Sequence, residues 1–174
     1  GSRDEHYNKY CSRVCCMYSL KFAHLSREKL PDAEIFEFYI DMRAFGKGYE
    51  EFYNRIKEEN IHMIRGKTAK VEARGEQLRL RGEDIESNSL IELDVDMVVL
   101  ATGLEPGEDT EKLAGIMGLK RSCDGWFMEM NSNTDPTGTA AGGIYIAGVC
   151  QGPKDIPDSV AQGSAAAARV LQNI

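Results

Sequence analysis

The chain has 174 residues, of which 42% are hydrophobic and 28% charged, and its formal charge is −7. That is an ordinary globular composition, with room for one sizeable core or two small ones. The acidic balance argues against nucleic acid or an anionic membrane as the main partner, and no apolar run reaches the length of a membrane span.

In chain order, Gly1-Ser2 reads as a cloning remnant unless a relationship shows otherwise. From Cys11 to about Lys29 the residues Val14, Met17, Tyr18, Leu20, Phe22 and Leu25 recur at three- and four-residue steps, which predicts a buried helix. Pro31 ends it. Residues 34–41, EIFEFYID, predict a strand, FGKG a turn, YEEFYNRIKEEN an amphipathic helix and IHMIRG a short strand. KTAKVEARG, EQLRLRGED and SLIELDV alternate between Gly-containing breaks and predict a three-stranded antiparallel meander. DMVVLATG, Asp96 to Gly103, predicts a buried parallel strand. DTEKLAGIMGL predicts a short helix capped by Asp109 or Thr110. GWFMEMN and GIYIAGV predict two more strands, separated by a loop at NTDPTGTAAGG. DSVAQGSAAAARVLQNI predicts a closing helix, capped by Asp158 or Ser159 after Pro157.

Five cysteines are an odd number, and Cys11, Cys15 and Cys16 fall within six positions while Cys123 and Cys150 stand apart. This is not the spacing of a secreted disulfide framework, so a reducing cytoplasm is expected. On a continuous helix Cys11 and Cys15 would share a face, and a helix N-terminus would lower their thiol pKa values. The cluster reads as core thiols, a redox pair or metal ligands; three thiolates alone do not complete a zinc site or a [4Fe–4S] cluster. His24 and His62 read as surface or core residues.

Two stretches suit a bound ligand. ATGLEP ends its strand in Thr102-Gly103, where the backbone can pass close to another group. In GIYIAGVCQGPKDIPDSVAQGSAAAARVL a glycine-rich turn leads to a helix start, which offers N–H groups and a positive dipole end to an anionic ring edge or a pyrophosphate. Gly163, Ala165, Ala166 and Ala167 would let that helix lie tightly on a sheet. A terminal helix packed without a ligand accounts for the same pattern. Gly46-x-Gly48 lacks a third glycine and reads as a strand-to-helix turn; Asp41 has no glycine-rich partner that would make it a ribose ligand.

The stretches YCSRVCCMYSLKFAHL, YIDMRAFGKGYEEFY, DMVVLATGLEP and AGVCQGPKDIPDSVAQGSAAAARVL together resemble the heterodisulfide reductase A-subunit family, flavin- and iron–sulfur-containing electron-transfer proteins. The resemblance implies an α/β fold. The chain would be an incomplete Rossmann-like, thioredoxin-reductase-like three-layer domain with an antiparallel meander, plus the C-terminal strand and helix of the FAD domain. Residues 1–104 would be the second, nicotinamide-domain-like unit without its first strand, and 105–174 the C-terminal part of the FAD-binding domain. On that reading the chain is a fragment and Gly1-Ser2-Arg3 are native.

The resemblance further implies that Cys11, Cys15 and Cys16 are three of the four ligands of a [4Fe–4S] cluster. Thr102 and Gly103 would lie near FAD at the domain crossover. Gly148 and the segment from Gly152 to Gln162 would face the flavin, with Gly152, Pro153, Lys154, Asp155, Ile156, Ser159 and Gln162 as its binding residues. Lys154 would bring positive charge to the ring. Val149 stands where flavoproteins commonly place a ribityl-binding aspartate. No side chain is required as a catalytic acid or base.

The family passes electrons between FAD and iron–sulfur clusters in heterodisulfide reductase-type complexes, electron-bifurcating ones among them, in methanogenesis and other anaerobic pathways. Implied partners are the other subunits of such complexes, a hydrogenase or dehydrogenase as electron donor, and ferredoxin. As a fragment the chain is expected to be inactive and to hold neither FAD nor an intact cluster, and its open sheet edge would allow a homodimer. Two alternatives remain: a nicotinamide-dependent flavin disulfide oxidoreductase, for which C-x-x-x-C-C is the wrong spacing, and a scaffold module with structural zinc.

Overall fold

The computed structural model describes residues 3–172; the question of whether Gly1-Ser2 are native lies outside them. By its internal contacts the chain divides into two units, one formed by Cys15–Thr102 and the other by the described residues through Val14 together with those from Gly103 onward.

In the first unit the apolar steps of the sequence form α1 (Cys15–Lys29), which buries Cys15, Leu20 and Ala23. The amphipathic segment after the FGKG turn forms α2 (Tyr49–Glu58), whose Ile56 is fully buried. Between them runs β1 (Phe36–Tyr39), paired in parallel with β2 (His62–Arg65) in the register Phe36↔His62 to Tyr39↔Arg65. Leu20, Ala23, Ile56 and Ile61 form the core, with Met17, Ile35, Phe52 and Met63 packed around it. Full burial of side chains such as Leu20 and Ile56 contributes about 1.5–3 kcal/mol each. Polar ties close the helix ends. His24 Nδ1 lies 2.7 Å from Glu59 Oε2, and the Arg27 guanidinium donates to the carbonyls of Pro31, Ala33 and Asn60.

The meander is β3 (Thr68–Arg74), β4 (Gln77–Asp84) and β5 (Ser89–Val95), antiparallel in sequence order. Its face carries a charge ladder in which Arg79 meets Asp94 and Glu92, and Arg81 meets Glu92 and Glu72. The meander meets the parallel pair at Gly66, where a Cβ would sit 1.7 Å from the Glu83 carbonyl oxygen. Only glycine permits this backbone approach, and Ile85 N–H donates to the Arg65 carbonyl beside it at 2.8 Å.

The second unit holds α3 (Thr110–Met117), a 3-10 turn at Gly148–Gln151 and α4 (Ile156–Leu171). Its small core is Ala114, Phe127 and Ile146 with Leu119 against them.

The mixed α/β class, both early helices, the meander and the closing helix match the sequence reading. Three expected strands do not form. Residues 96–103 carry no strand, and Met97, Val99 and Leu100 are 76%, 72% and 76% exposed. Among the described residues no strand lies alongside to complete a ladder, so an apolar, β-branched run has nothing to pair with. Residues 125–131 and 143–149 make only isolated bridges, Arg121↔Phe127, Asn131↔Asp135 and Gly138↔Tyr145. Loop bonds such as Ile146 N–H to the Thr137 carbonyl take the place of a ladder. The small-residue face of α4 also departs from expectation: Gly163, Ala165 and Ala167 are exposed, and the helix buries no residue.

Glu37 is the charged residue at odds with its surroundings. It lies opposite Met63 in the parallel pair, on the face that Ile35 and Met63 turn to the core. Its Oε2 is buried with no hydrogen-bond partner, and burial raises the carboxyl pKa to about 7. The folded chain therefore keeps this proton up to about pH 7, whereas the unfolded chain releases it near the ordinary value of 4.5. Stability from this group is fully present below the unfolded pKa and is lost as pH rises through the folded one. Glu37→Gln is expected to leave stability unchanged at acid pH and to raise it by roughly 3 kcal/mol above neutrality. Urea unfolding of both chains across that range checks it; parallel pH curves would refute the assignment.

Candidate functional site

The cysteine cluster and the glycine-rich turn are the two candidate sites, and the fold treats them differently. Helix α1 begins at Cys15, so Cys11 lies outside it. The interruption has a local cause. Arg13 has a left-handed backbone (φ 62°), Val14 N–H bonds to the Ser12 carbonyl, and Ser12 Oγ accepts from Leu104 N–H at 2.8 Å. The expected sharing of one helix face by Cys11 and Cys15 is therefore overturned.

Cys11 Sγ accepts from Arg13 N–H at 3.3 Å. Cys15 is buried, and Cys16 Sγ donates to the Asp41 carbonyl at 3.7 Å. A hydrogen bond with Cys15, and after it burial, pushes the Cys16 thiol far above the ordinary thiol range. The lowering expected from a helix start does not hold at this residue, since burial in apolar surroundings disfavours the thiolate. The five cysteines form no disulfide with one another, and Cys123 and Cys150 are exposed. Among the described residues no three or more His, Cys, Asp or Glu side chains are gathered so as to hold a metal ion.

The glycine-rich turn is held by a defined set of bonds. Gly148 has φ 75°, a conformation that favours glycine, and begins the Gly148–Gln151 turn. Its N–H donates to Gln162 Oε1 at 2.7 Å. Gln162 Nε2 donates to the Pro136 carbonyl at 3.3 Å and to Gln151 Oε1, and Gln151 Nε2 donates to the same carbonyl at 3.2 Å. Two helical turns further on, Arg169 bonds Asp135 at 2.9 Å, and Asp135 also accepts from Gly138 N–H.

Gly152, Pro153 and Lys154 follow half-buried. Burial lowers the Lys154 amine pKa, and the neighbouring Arg13 charge lowers it further. Arg13 in turn pairs with Asp158 at 2.6 Å. Asp155, rather than Asp158 or Ser159, is the N-cap of α4: its carboxylate accepts from Asp158 N–H at 2.9 Å and its carbonyl from Ser159 Oγ at 2.7 Å. The extended backbone of Asp155 directs its side chain back over the first turn, which Pro157 opens without an N–H to satisfy. Ile156 is 80% exposed. Thr102 and Gly103 are exposed, and the Thr102 carbonyl accepts from Tyr18 Oη. A cavity of about 240 Å³ adjoins the turn, lined by Pro106, Thr110, Trp126, Phe127, Val149 and Cys150.

The sequence did not single out Gln151, Asp135, Arg169 or Arg13. Their bonds join positions 15 to 145 residues apart, and no local pattern signals such pairs.

A glycine turn with two adjacent cations is open at Gly152, where an added Cβ would meet no other atom within 4 Å. Such a turn leaves open space beside positive charge. The fold is thus that of a mixed α/β protein with a glycine-rich turn beside two cations. No protein-family model matches the chain. It is 52% identical over 172 residues, 97% of its length, to the A subunit of the H(2):CoB-CoM heterodisulfide,ferredoxin reductase of Methanothermobacter thermautotrophicus. It is 49% identical over 173 residues to the second iron-sulfur A subunit of the CoB--CoM heterodisulfide reductase of Methanopyrus kandleri, again 97% of the chain. With the A subunit of the H(2)/formate:CoB-CoM heterodisulfide,ferredoxin reductase of Methanococcus maripaludis it shares 47% identity over 174 residues, 98% of the chain. Nearly the whole chain is thus similar to a stretch of heterodisulfide reductase A subunits. It spans 26% of each of these three relatives.

Removing the cap tests the local reading of α4. Asp155→Ala is expected to cost about 1 kcal/mol of helix stability, and Asp155→Asn a fraction of that. Amide exchange at Asp158 and Ser159 reports it; unchanged protection in the alanine variant would contradict the cap.

Proposed function

We propose that the chain is part of an electron-transfer oxidoreductase subunit in which residues 148–162 bind FAD. The reading rests on near-complete coverage of the chain by heterodisulfide reductase relatives, together with the preformed glycine turn beside Lys154 and Arg13. A flavin bound there would supply exchange between two-electron and one-electron chemistry. The chain's own contribution would be positional. The turn would leave backbone close to the ring, and Lys154 and Arg13 would favour added negative charge. Thr102 and Gly103 are proposed to lie near the same cofactor.

Cys11, Cys15 and Cys16 are proposed as three thiolate ligands of a [4Fe–4S] cluster in the full-length protein. The donor chemistry suits such a centre. Partners in this reading are the other heterodisulfide reductase-type subunits, a hydrogenase or dehydrogenase donor, and ferredoxin, in a cytoplasmic complex. Relatives are named for hydrogen, formate and ferredoxin, and no helix among the described residues is long and apolar enough to cross a membrane.

Anaerobically purified full-length protein is expected to contain flavin, iron and labile sulfide. Lys154→Met should weaken flavin binding about tenfold while leaving iron unchanged. Cys11→Ser, Cys15→Ser and Cys16→Ser should lower iron while keeping flavin. Full-length protein without flavin, or three serine variants with undiminished iron, would sink the corresponding half of the proposal.

A further inference from the structure

We infer that Gln162 is a positioning residue rather than a ligand contact: with Gln151 it clamps the Gly148–Gly152 turn to the Pro136 carbonyl. The inference rests on the proposal that this turn receives the flavin, and it assigns Gln162 a different part from the direct contact implied by family resemblance.

The amide orientations follow from the backbone groups they meet. Gly148 N–H can only donate, so the oxygen of Gln162 faces it, and the Pro136 carbonyl can only accept, so the NH₂ group faces that. Gln151 is then fixed as well, its NH₂ on the same carbonyl and its oxygen receiving the second Gln162 proton. The Gln162 oxygen and both of its amide protons are thus engaged within the protein. The Pro136 carbonyl takes one proton from each glutamine, filling its two acceptor sites. Gln162 therefore has no amide proton left for a ligand, and only the second lone pair of its oxygen is uncommitted.

What the clamp fixes is the direction of the Gly148 amide and hence the start of the 3-10 turn. Asp135, next to Pro136, is held by Arg169, seven residues beyond Gln162 on α4. Positions seven apart lie on one helix face, so the Asp135-Pro136 dipeptide grips α4 at two points. Gln162 acts on the ligand site through this grip.

The test uses full-length protein carrying Gln162→Met, Gln151→Met or both. Two quantities are read: deuterium uptake in peptides covering residues 144–152, and flavin affinity with the flavin midpoint potential. Each single substitution is expected to raise uptake over the turn, to weaken flavin about tenfold and to move the midpoint in the same direction. The double variant should be no worse than either single one, because both residues belong to one network. Loss of flavin in Gln162→Met with unchanged uptake, and a wild-type-like Gln151→Met, would overturn the inference in favour of direct contact. Additive effects, or raised uptake with unaltered flavin binding, would also overturn it. If the unsubstituted protein holds no flavin, the proposed function fails and uptake alone decides the clamp: raised uptake supports it and unchanged uptake refutes it.

Discussion

The Pro136 carbonyl is the fixed point of the second unit. Helix α4 buries no residue, so apolar burial does not hold it in place. Its registration depends on polar ties: Gln162 to Pro136 and Gly148, Arg169 to Asp135, and Arg13 to Asp158. Each such bond is worth about 1 kcal/mol in net terms, and an exposed ion pair often less. Their value lies in direction. A greasy contact would allow α4 to rotate or slide by a residue, whereas an amide wedged between a fixed donor and a fixed acceptor does not. The conformation of the Gly148 turn is thereby set by a loop that precedes it in the chain.

The first unit is organised by the opposite principle. Leu20, Ile56 and Ile61 supply a dry core between two helices and a parallel pair. The close backbone approach at Gly66 brings the meander to that pair. Glu37 is the exception, an unpaired carboxyl on the core-facing side whose protonated form the fold prefers. Desolvation penalises charge more than it penalises a neutral acid, so the site accepts the group by keeping its proton to near neutrality. The same logic governs Cys16, where the Cys15 thiol and burial favour the protonated form.

Periodicity made α1, α2, the meander and α4 legible, because each carries its pattern within a dozen or so residues. The residues of the turn, from Gly148 to Ser159, were also legible as a segment, since glycine, proline and aspartate cluster there. Strand status at 96–103, 125–131 and 143–149 was not, because a strand is a property of a pair. Met97, Val99 and Leu100 have strand chemistry without a strand neighbour. The cap of α4 moved from Asp158 or Ser159 to Asp155 for a related reason: several residues there can cap, and the backbone angle of Asp155 selects it. Arg13 shows the limit most directly. A left-handed arginine is disfavoured locally and is held by Asp158 and the Cys11 sulfur, neither of which the spacing of cysteines reveals.

The choice of proline at 136 fits the task of its carbonyl. Its ring fixes φ, and the preceding Asp135 is biased toward extended backbone, so the dipeptide has little freedom left to lose when α4 docks. Gln162 and Arg169 are separated by about 10.5 Å along the helix axis at 1.5 Å per residue. An extended dipeptide whose one end offers a carboxylate and whose other end offers a carbonyl spans much of that interval, and the two long side chains cover the remainder. A flexible loop would meet the same two partners only at a larger entropic cost. Stiffness in the Asp135-Pro136 step therefore reaches the Gly148 amide through Gln162, and the Gly148–Gln151 turn starts from an amide whose direction is already set.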